Sequence, residues 1–196
     1  MLGLDLDPDL VAAFNERAAE LPAEAEPGNA RDFSLGGEFG LVLAPMQLVQ
    51  LFADAGERIE CLRCVAGHLE PGGRAALAIV ERAALDGTNL AAGGAAFDAA
   101  PPPLPDACEV DGWVYSSLPL ETAVGEGEIV VRRLRQTVSP DGELGEAVNE
   151  VRLRALDATT VEREAKAAGL RPAGRRAIPA TEAHVGSTVV LLEKEA

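Results

Sequence analysis

The chain has 196 residues, 47% of them apolar, enough for one packed domain and too many for wholesale disorder. Seventeen Lys and Arg stand against 32 Asp and Glu, a formal charge of -15, which argues against a nucleic-acid partner and against an anionic membrane face. No apolar run reaches the roughly 18 residues of a membrane span, the first ten residues carry no basic leader, and three Cys make no disulfide framework. The expectation is a soluble protein of the reduced cytoplasm.

Residues 2–6 form a short apolar run ending in acid. Asp7 is placed to cap a helix with Pro8 in its first turn. Leu10, Val11, Phe14, Ala18 and Leu21 recur at helical spacing as far as Pro22. Glu20 to Pro27 reads as an acidic connector. Phe39 to Leu43 is a buried strand, Met46 to Phe52 a helical turn or two, and Glu57 to Leu69 a second helix. Pro71-Gly72-Gly73 ends that helix, and Ala75 to Val80 is another strand.

The alternation of strand and helix predicts a parallel sheet with crossover helices. Residues 86–107, rich in Gly, Ala and Pro, read as a loop. Residues 113–156 then read as an antiparallel meander, turning at Pro140-Asp141-Gly142. Thr159 or Thr160 caps a helix that Gly169 stops. Ala173 to Pro179 and Ser187 to Leu192 form a last strand pair. The expected organisation is a single domain over residues 1–196 with a β-rich insertion or lid over 104–156.

Three stretches together resemble the class I S-adenosylmethionine-dependent methyltransferases. They are Leu2-Gly3-Leu4-Asp5 before Asp7-Pro8; Gly28-Asn29-Ala30-Arg31-Asp32-Phe33 before Phe39-Gly40-Leu41-Val42-Leu43; and Leu69-Glu70-Pro71-Gly72-Gly73. The resemblance covers residues 1–82 and 158–193. It implies an α/β fold: a Rossmann-like sheet, mostly parallel with a terminal antiparallel hairpin, carrying an antiparallel β insertion.

The resemblance also implies S-adenosylmethionine as cofactor. Asp5 matches the strand-end acid that binds the ribose hydroxyls, a carboxylate accepting two hydroxyl hydrogens. Asn29 and Ala30 match the adenine-reading loop, and Ala44 and Met46 lie at the strand edge facing the transferred methyl. The family's first strand and Gly-rich loop, expected about 20 residues before Asp5, have no match in a chain with four residues there. Either a longer protein carries them, or the family's second and fourth strands pair directly. Asn29 stands where an acid often sits, and Gly40 where the fourth strand usually opens with one.

Each candidate has an ordinary alternative. Asp5 also suits a helix N-terminus, and Asn29 with Ala30 also suits a plain turn. Trp113 and Tyr115 wall a substrate pocket or cover the sheet. Arg133 binds a substrate carboxylate, or the Arg132, Arg133 and Arg135 group pairs with Glu146 and Glu150. His184 is the candidate general base or a solvated loop histidine. Cys61, Cys64 and His68 share a helix face; they read as packed thiols and a histidine, and no metal is expected.

The expected function is methyl transfer to a small-molecule acceptor. The alternative is a non-catalytic methyltransferase-like remnant acting as a binding or interaction domain. A homodimer is an expectation from exposed sheet edges.

Overall fold

The computed structural model describes residues 1–85, 105–181 and 185–195. Strand β1 (Leu2–Asp5) runs into helix α1 (Pro8–Arg17) and returns as β2 (Glu24–Pro27), parallel to β1. The Asp7 carboxylate accepts from Asp9 N–H at 2.9 Å and Leu10 N–H at 3.4 Å, satisfying donors that the first turn leaves free. The helix ends at Arg17, short of Pro22, where the bonding tightens from the Ala18 N–H on the Phe14 carbonyl at 2.8 Å to the Ala19 N–H on the Glu16 carbonyl at 3.4 Å. Residues 24–27 form a strand where the sequence suggests a connector. Asn15 secures it, donating to the Ala25 carbonyl at 2.9 Å and accepting the Ala25 N–H at 2.7 Å.

A second sheet holds the main core. Strand β3 (Phe39–Ala44) leads through a 3₁₀ turn (Leu48–Gln50) and helix α2 (Ala55–His68) to β4 (Leu69–Ile79), parallel to β3. After the insertion, helix α4 (Ala158–Ala167) precedes β9 (Leu170–Ile178) and β10 (Ser187–Lys194), and the sheet order is β3-β4-β10-β9. Leu62, Val65, Leu69, Leu77, Val161, Leu170, Val190 and Leu192 are buried between helices and sheet. Each such side chain contributes about 1.5–3 kcal/mol by leaving water. Gly73 lets β4 press on β3: a Cβ there would lie 3.0 Å from the Phe39 carbonyl and 2.8 Å from that of Glu70. The register between the strands shifts at this place.

Of the two alternatives the sequence leaves open, direct pairing of the strands at Asp5 and at Phe39–Leu43 does not occur. Strand β1 pairs with β2, β3 pairs with β4, and no described strand lies on the other edge of either β1 or β3. Leu41 and Leu43 are 57% and 63% exposed along β3.

The insertion is a four-stranded antiparallel sheet: β5 (Asp106–Val110), β6 (Trp113–Val124), β7 (Glu128–Val138) and β8 (Leu144–Arg154). The short helix α3 (Arg82–Leu85) precedes it. Strand β5 falls partly in the stretch read as a loop. Its hairpin with β6 turns on Asp111 (φ 51°) and Gly112 (φ 80°), two successive residues at positive φ as the two-residue turn requires. Residues 86–104 of that expected loop lie outside the described residues. Helix α4 is capped by Asp157, which accepts the Thr160 N–H at 2.6 Å, and not by Thr159 or Thr160.

Candidate functional site

Asp5 ends β1 with its side chain exposed. One carboxylate oxygen accepts the Asp7 N–H at 2.9 Å, and the second has no bond within the described residues. The Asp5 carbonyl accepts the Gly28 N–H at 2.8 Å, which brings the segment beginning at Gly28 against the strand end.

That segment makes a tight turn. Asn29 accepts from Arg31 N–H through its side chain at 3.0 Å and from Asp32 N–H through its carbonyl at 3.0 Å. Its side-chain amino group stays available as a donor. Ala30 and Phe33 pack against the main core, which fixes the turn to the body of the protein. Asp5 and Asn29 are therefore neighbours: a strand-end acceptor beside a turn whose free group is a donor.

Ala44 ends β3 and is buried as a whole residue in the main core, so it closes the strand end rather than presenting a surface to a ligand. Met46 (φ 52°) and Gln47 (φ 61°) follow in the left-handed region, and Met46 is 82% exposed. Backbone strain of this kind in non-glycine residues clusters at functional sites.

Trp113 and Tyr115 stack on β6 with ring centroids 6.5 Å apart, both exposed. Arg133 crosses from β7 to the same sheet region. Its Nε donates to Ser117 Oγ at 2.7 Å, and its Nη2 donates to Asp106 Oδ2 at 2.7 Å. The guanidinium is thus already paired with a carboxylate. Arg132 pairs with Glu121 at 3.5 Å and Glu150 at 3.7 Å. His184 lies outside the described residues.

Two of the three thiols, Cys61 and Cys64, lie one turn apart on α2, and Cys108 lies on β5. Burial, and then the neighbouring Cys64, push the Cys61 thiol up to about 12, which leaves it inert as a nucleophile. Cys64 donates to the Arg31 carbonyl at 3.2 Å, and Cys108 is exposed on β5. Among the described residues no three potential ligands gather around a metal position.

The sequence reading passed over Gln50. It is fully buried and bonds the Val80 carbonyl at 3.1 Å, the Val80 N–H at 2.7 Å and the Arg154 carbonyl at 2.8 Å. It thereby ties together the chain entering the insertion and the chain leaving it. A glutamine beside an apolar 3₁₀ turn carries no sequence signal of this role.

A cleft of about 270 Å³ lies between β1, α1 and β2, lined by Gly3, Leu4, Asp5, Leu10, Val11, Phe14 and Ala25. Apart from Asp5 its lining is apolar, which suits a packed side chain better than a nucleotide.

No family model matches the chain, and no curated protein matches it in sequence. Its fold has clear counterparts. A S-adenosylmethionine-dependent methyltransferase from Clostridium acetobutylicum aligns over 100% of this chain and 75% of its own, with a TM-score of 0.71 at 14% identity. A sugar N-methyltransferase from Streptoalloteichus aligns over 100% and 71%, with a TM-score of 0.71 at 16% identity. The DesVI protein of Streptomyces venezuelae aligns over 100% and 74%, with a TM-score of 0.69 at 18% identity. The chain has the fold of the S-adenosylmethionine-dependent methyltransferases, as its sequence motifs suggest.

Proposed function

We propose that the protein binds S-adenosylmethionine and directs its methyl group to a small-molecule acceptor. The observation that carries this reading is the free carboxylate oxygen of Asp5 at a strand end, beside the Asn29 turn, in a chain whose whole length matches that fold. A strand-end carboxylate suits a ribose diol. The free amino group of Asn29 suits an adenine ring nitrogen as acceptor, and the backbone of Ala30 offers uncharged contact beside it, while buried Ala44 supports the strand end from within the core. The residues present therefore fit the nucleoside end of the cofactor.

When bound, the cofactor supplies a cationic sulfonium whose methyl carbon is open to in-line attack. This chain's own residues align the acceptor and exclude water, which is where most of the rate of such a displacement arises. Met46 at the β3 edge and Trp113 with Tyr115 on the insertion supply apolar and aromatic walls. In this reading the 104–156 sheet is the lid of a single domain, and Arg133, held by Asp106 and Ser117, shapes the wall. His184 is the candidate general base. Of the similar structures, one is a sugar N-methyltransferase. A small polar acceptor is the matching class for this protein.

A further strand with its Gly-rich loop would fit between β1 and β3, each of which has one edge that no described strand pairs. A homodimer would cover the exposed Val114, Leu144 and Val148 on one face of the insertion. The net charge of -15 supports a partner other than nucleic acid or an anionic membrane, and unpaired thiols suit the cytoplasm.

The test is calorimetric titration of the full-length protein with S-adenosylhomocysteine. Micromolar binding that Asp5→Ala weakens about ten- to hundred-fold is the expected result, the scale of hydrogen bonds to a charged group. A cooperatively folded full-length protein that does not bind would overturn the reading.

A further inference from the structure

One face of α2 grips the segment that follows Asn29 at four successive points. Glu57 pairs with the Arg31 guanidinium at 2.6 Å. Cys64 Sγ donates to the Arg31 carbonyl at 3.2 Å. The His68 ring lies 4.6 Å from that of Phe33, and His68 Nε2 accepts the Leu35 N–H at 2.9 Å. Glu57, Cys64 and His68 fall seven and four residues apart, so they share a helix face.

The two partners of His68 settle its tautomer. Nε2 faces a donor and must be bare. Nδ1 faces the Cys64 carbonyl at 2.7 Å and must carry the hydrogen. Both ring nitrogens are used, and only the neutral ring satisfies both.

We propose that neutral His68 is a positioning residue that holds the Asn29–Leu35 segment in its cofactor-binding form, so that protonation of its Nε2 releases the segment and weakens cofactor affinity. The proposal rests on the cofactor reading above for its consequence, and on the His68–Leu35 bond alone for its cause.

Protonation turns Nε2 from acceptor into donor, opposite a backbone N–H that has no other partner among the described residues. Two like donors repel, and the Leu35 N–H loses its bond. The charged groups on the surrounding elements are largely paired with one another: Arg31 with Glu57, and Lys194 of β10 with Glu38 at 3.5 Å. Asp32 and Glu70 are exposed.

Two readouts test this in the full-length protein. The first is the hydrogen-exchange protection factor of the Leu35 amide, corrected for intrinsic exchange, between about pH 8 and about pH 5, the range in which imidazole changes charge. Protection falls at least ten-fold on acidification in the wild type. It is low and independent of pH in His68→Phe, which keeps a ring against Phe33 and lacks the acceptor. His68→Gln, whose side-chain oxygen reaches the same donor, restores protection without the pH dependence.

The second readout is S-adenosylhomocysteine affinity, which follows the same profile: about ten-fold weaker in His68→Phe at neutral pH and flat with pH. Equal Leu35 protection in wild type and His68→Phe at every pH overturns the proposal, whatever the ligand does. Unequal protection with equal ligand affinity overturns the link between segment and cofactor. Absence of ligand binding at any pH brings down the cofactor reading itself, while the protection data still decide whether His68 holds the segment.

Discussion

Arg58 on α2 and Glu164 on α4 form a doubly hydrogen-bonded ion pair in the core, Nε to Oε2 and Nη2 to Oε1 both at 2.8 Å, with side chains 8% and 5% exposed. It joins two residues 106 apart in the chain, on one helix before the insertion and one after it. A parallel guanidinium–carboxylate contact fixes direction as well as distance. It therefore sets how α4 lies against α2. Removing one partner strands the other in a dry setting, so Glu164→Ala should lower stability by about 3–5 kcal/mol. The double replacement Arg58→Met with Glu164→Leu should recover most of that loss. Urea unfolding of the three proteins decides it, and equal losses in single and double variants would contradict the account.

Gln50 should be as sensitive. Gln50→Leu keeps the volume and leaves the Val80 N–H and the Val80 and Arg154 carbonyls without their partner. The expected cost is roughly 2–4 kcal/mol, since each stranded buried group is expensive. Amide exchange should quicken first at Val80. The β6–β7–β8 ladder, which has its own hydrogen bonds, should exchange at near wild-type rates.

Acid should loosen α4. The Thr160 N–H, chiefly, holds the Asp157 carboxyl below its ordinary range, and a hydrogen bond from Arg175 does the same for Glu162. A group whose pKa is lowered by folding stabilises the fold above its unfolded value. That contribution is lost as the pH falls through the lowered folded value. Thermal unfolding between about pH 7 and about pH 3 should show this loss, with a smaller slope in Asp157→Asn. Asp157→Ala at neutral pH should cost about 1 kcal/mol, as for other helix caps. An unchanged slope in Asp157→Asn would remove the cap from this role.

Trp113→Ala should act on the acceptor and spare the cofactor. The stacked pair is exposed on the insertion, and its loss should cost the fold no more than about 1 kcal/mol. With a panel of small amino and hydroxyl acceptors, formation of S-adenosylhomocysteine should show a raised KM. Affinity for S-adenosylhomocysteine alone should not move. Unfolding of the variant would instead place Trp113 in the structural support of the sheet.

Much of the layout was legible from residue order. The strands at Leu2 and Phe39, the helix before Leu69 and the final pair were all marked by apolar spacing and turn residues, although the first of that pair starts at Leu170, three residues before the Ala173 expected. Strand β2 was not, because Glu24 and Glu26 are exposed and read as a connector, and only their pairing with Leu2 and Leu4 makes the segment a strand. Strand β5 carried a readable sign, the Asp111-Gly112 turn, hidden by the Pro-rich composition upstream. Of the candidate site, Asp5 and Asn29 were visible through motif resemblance and are neighbours in the fold. The role of Gln50 was not legible, since a buried amide has no periodic signature. Cys64 and His68 were readable as a shared face, but not as the holder of the Arg31–Leu35 segment.

The sequence by itself determined what depends on neighbours in the chain: the Asp7 cap, the apolar faces, the turn at Gly142 and the stop at Gly169. Those are set by backbone sterics and by hydrogen bonds spanning a few residues. Only the tertiary structure decided that β10 lies between β4 and β9 and that β1 and β3 do not pair. It likewise decided that Arg58 meets Glu164, and that His68 meets Leu35, 33 residues away. Such partners are selected by the closing of the whole core around buried polar groups that must be satisfied, a condition no local pattern encodes.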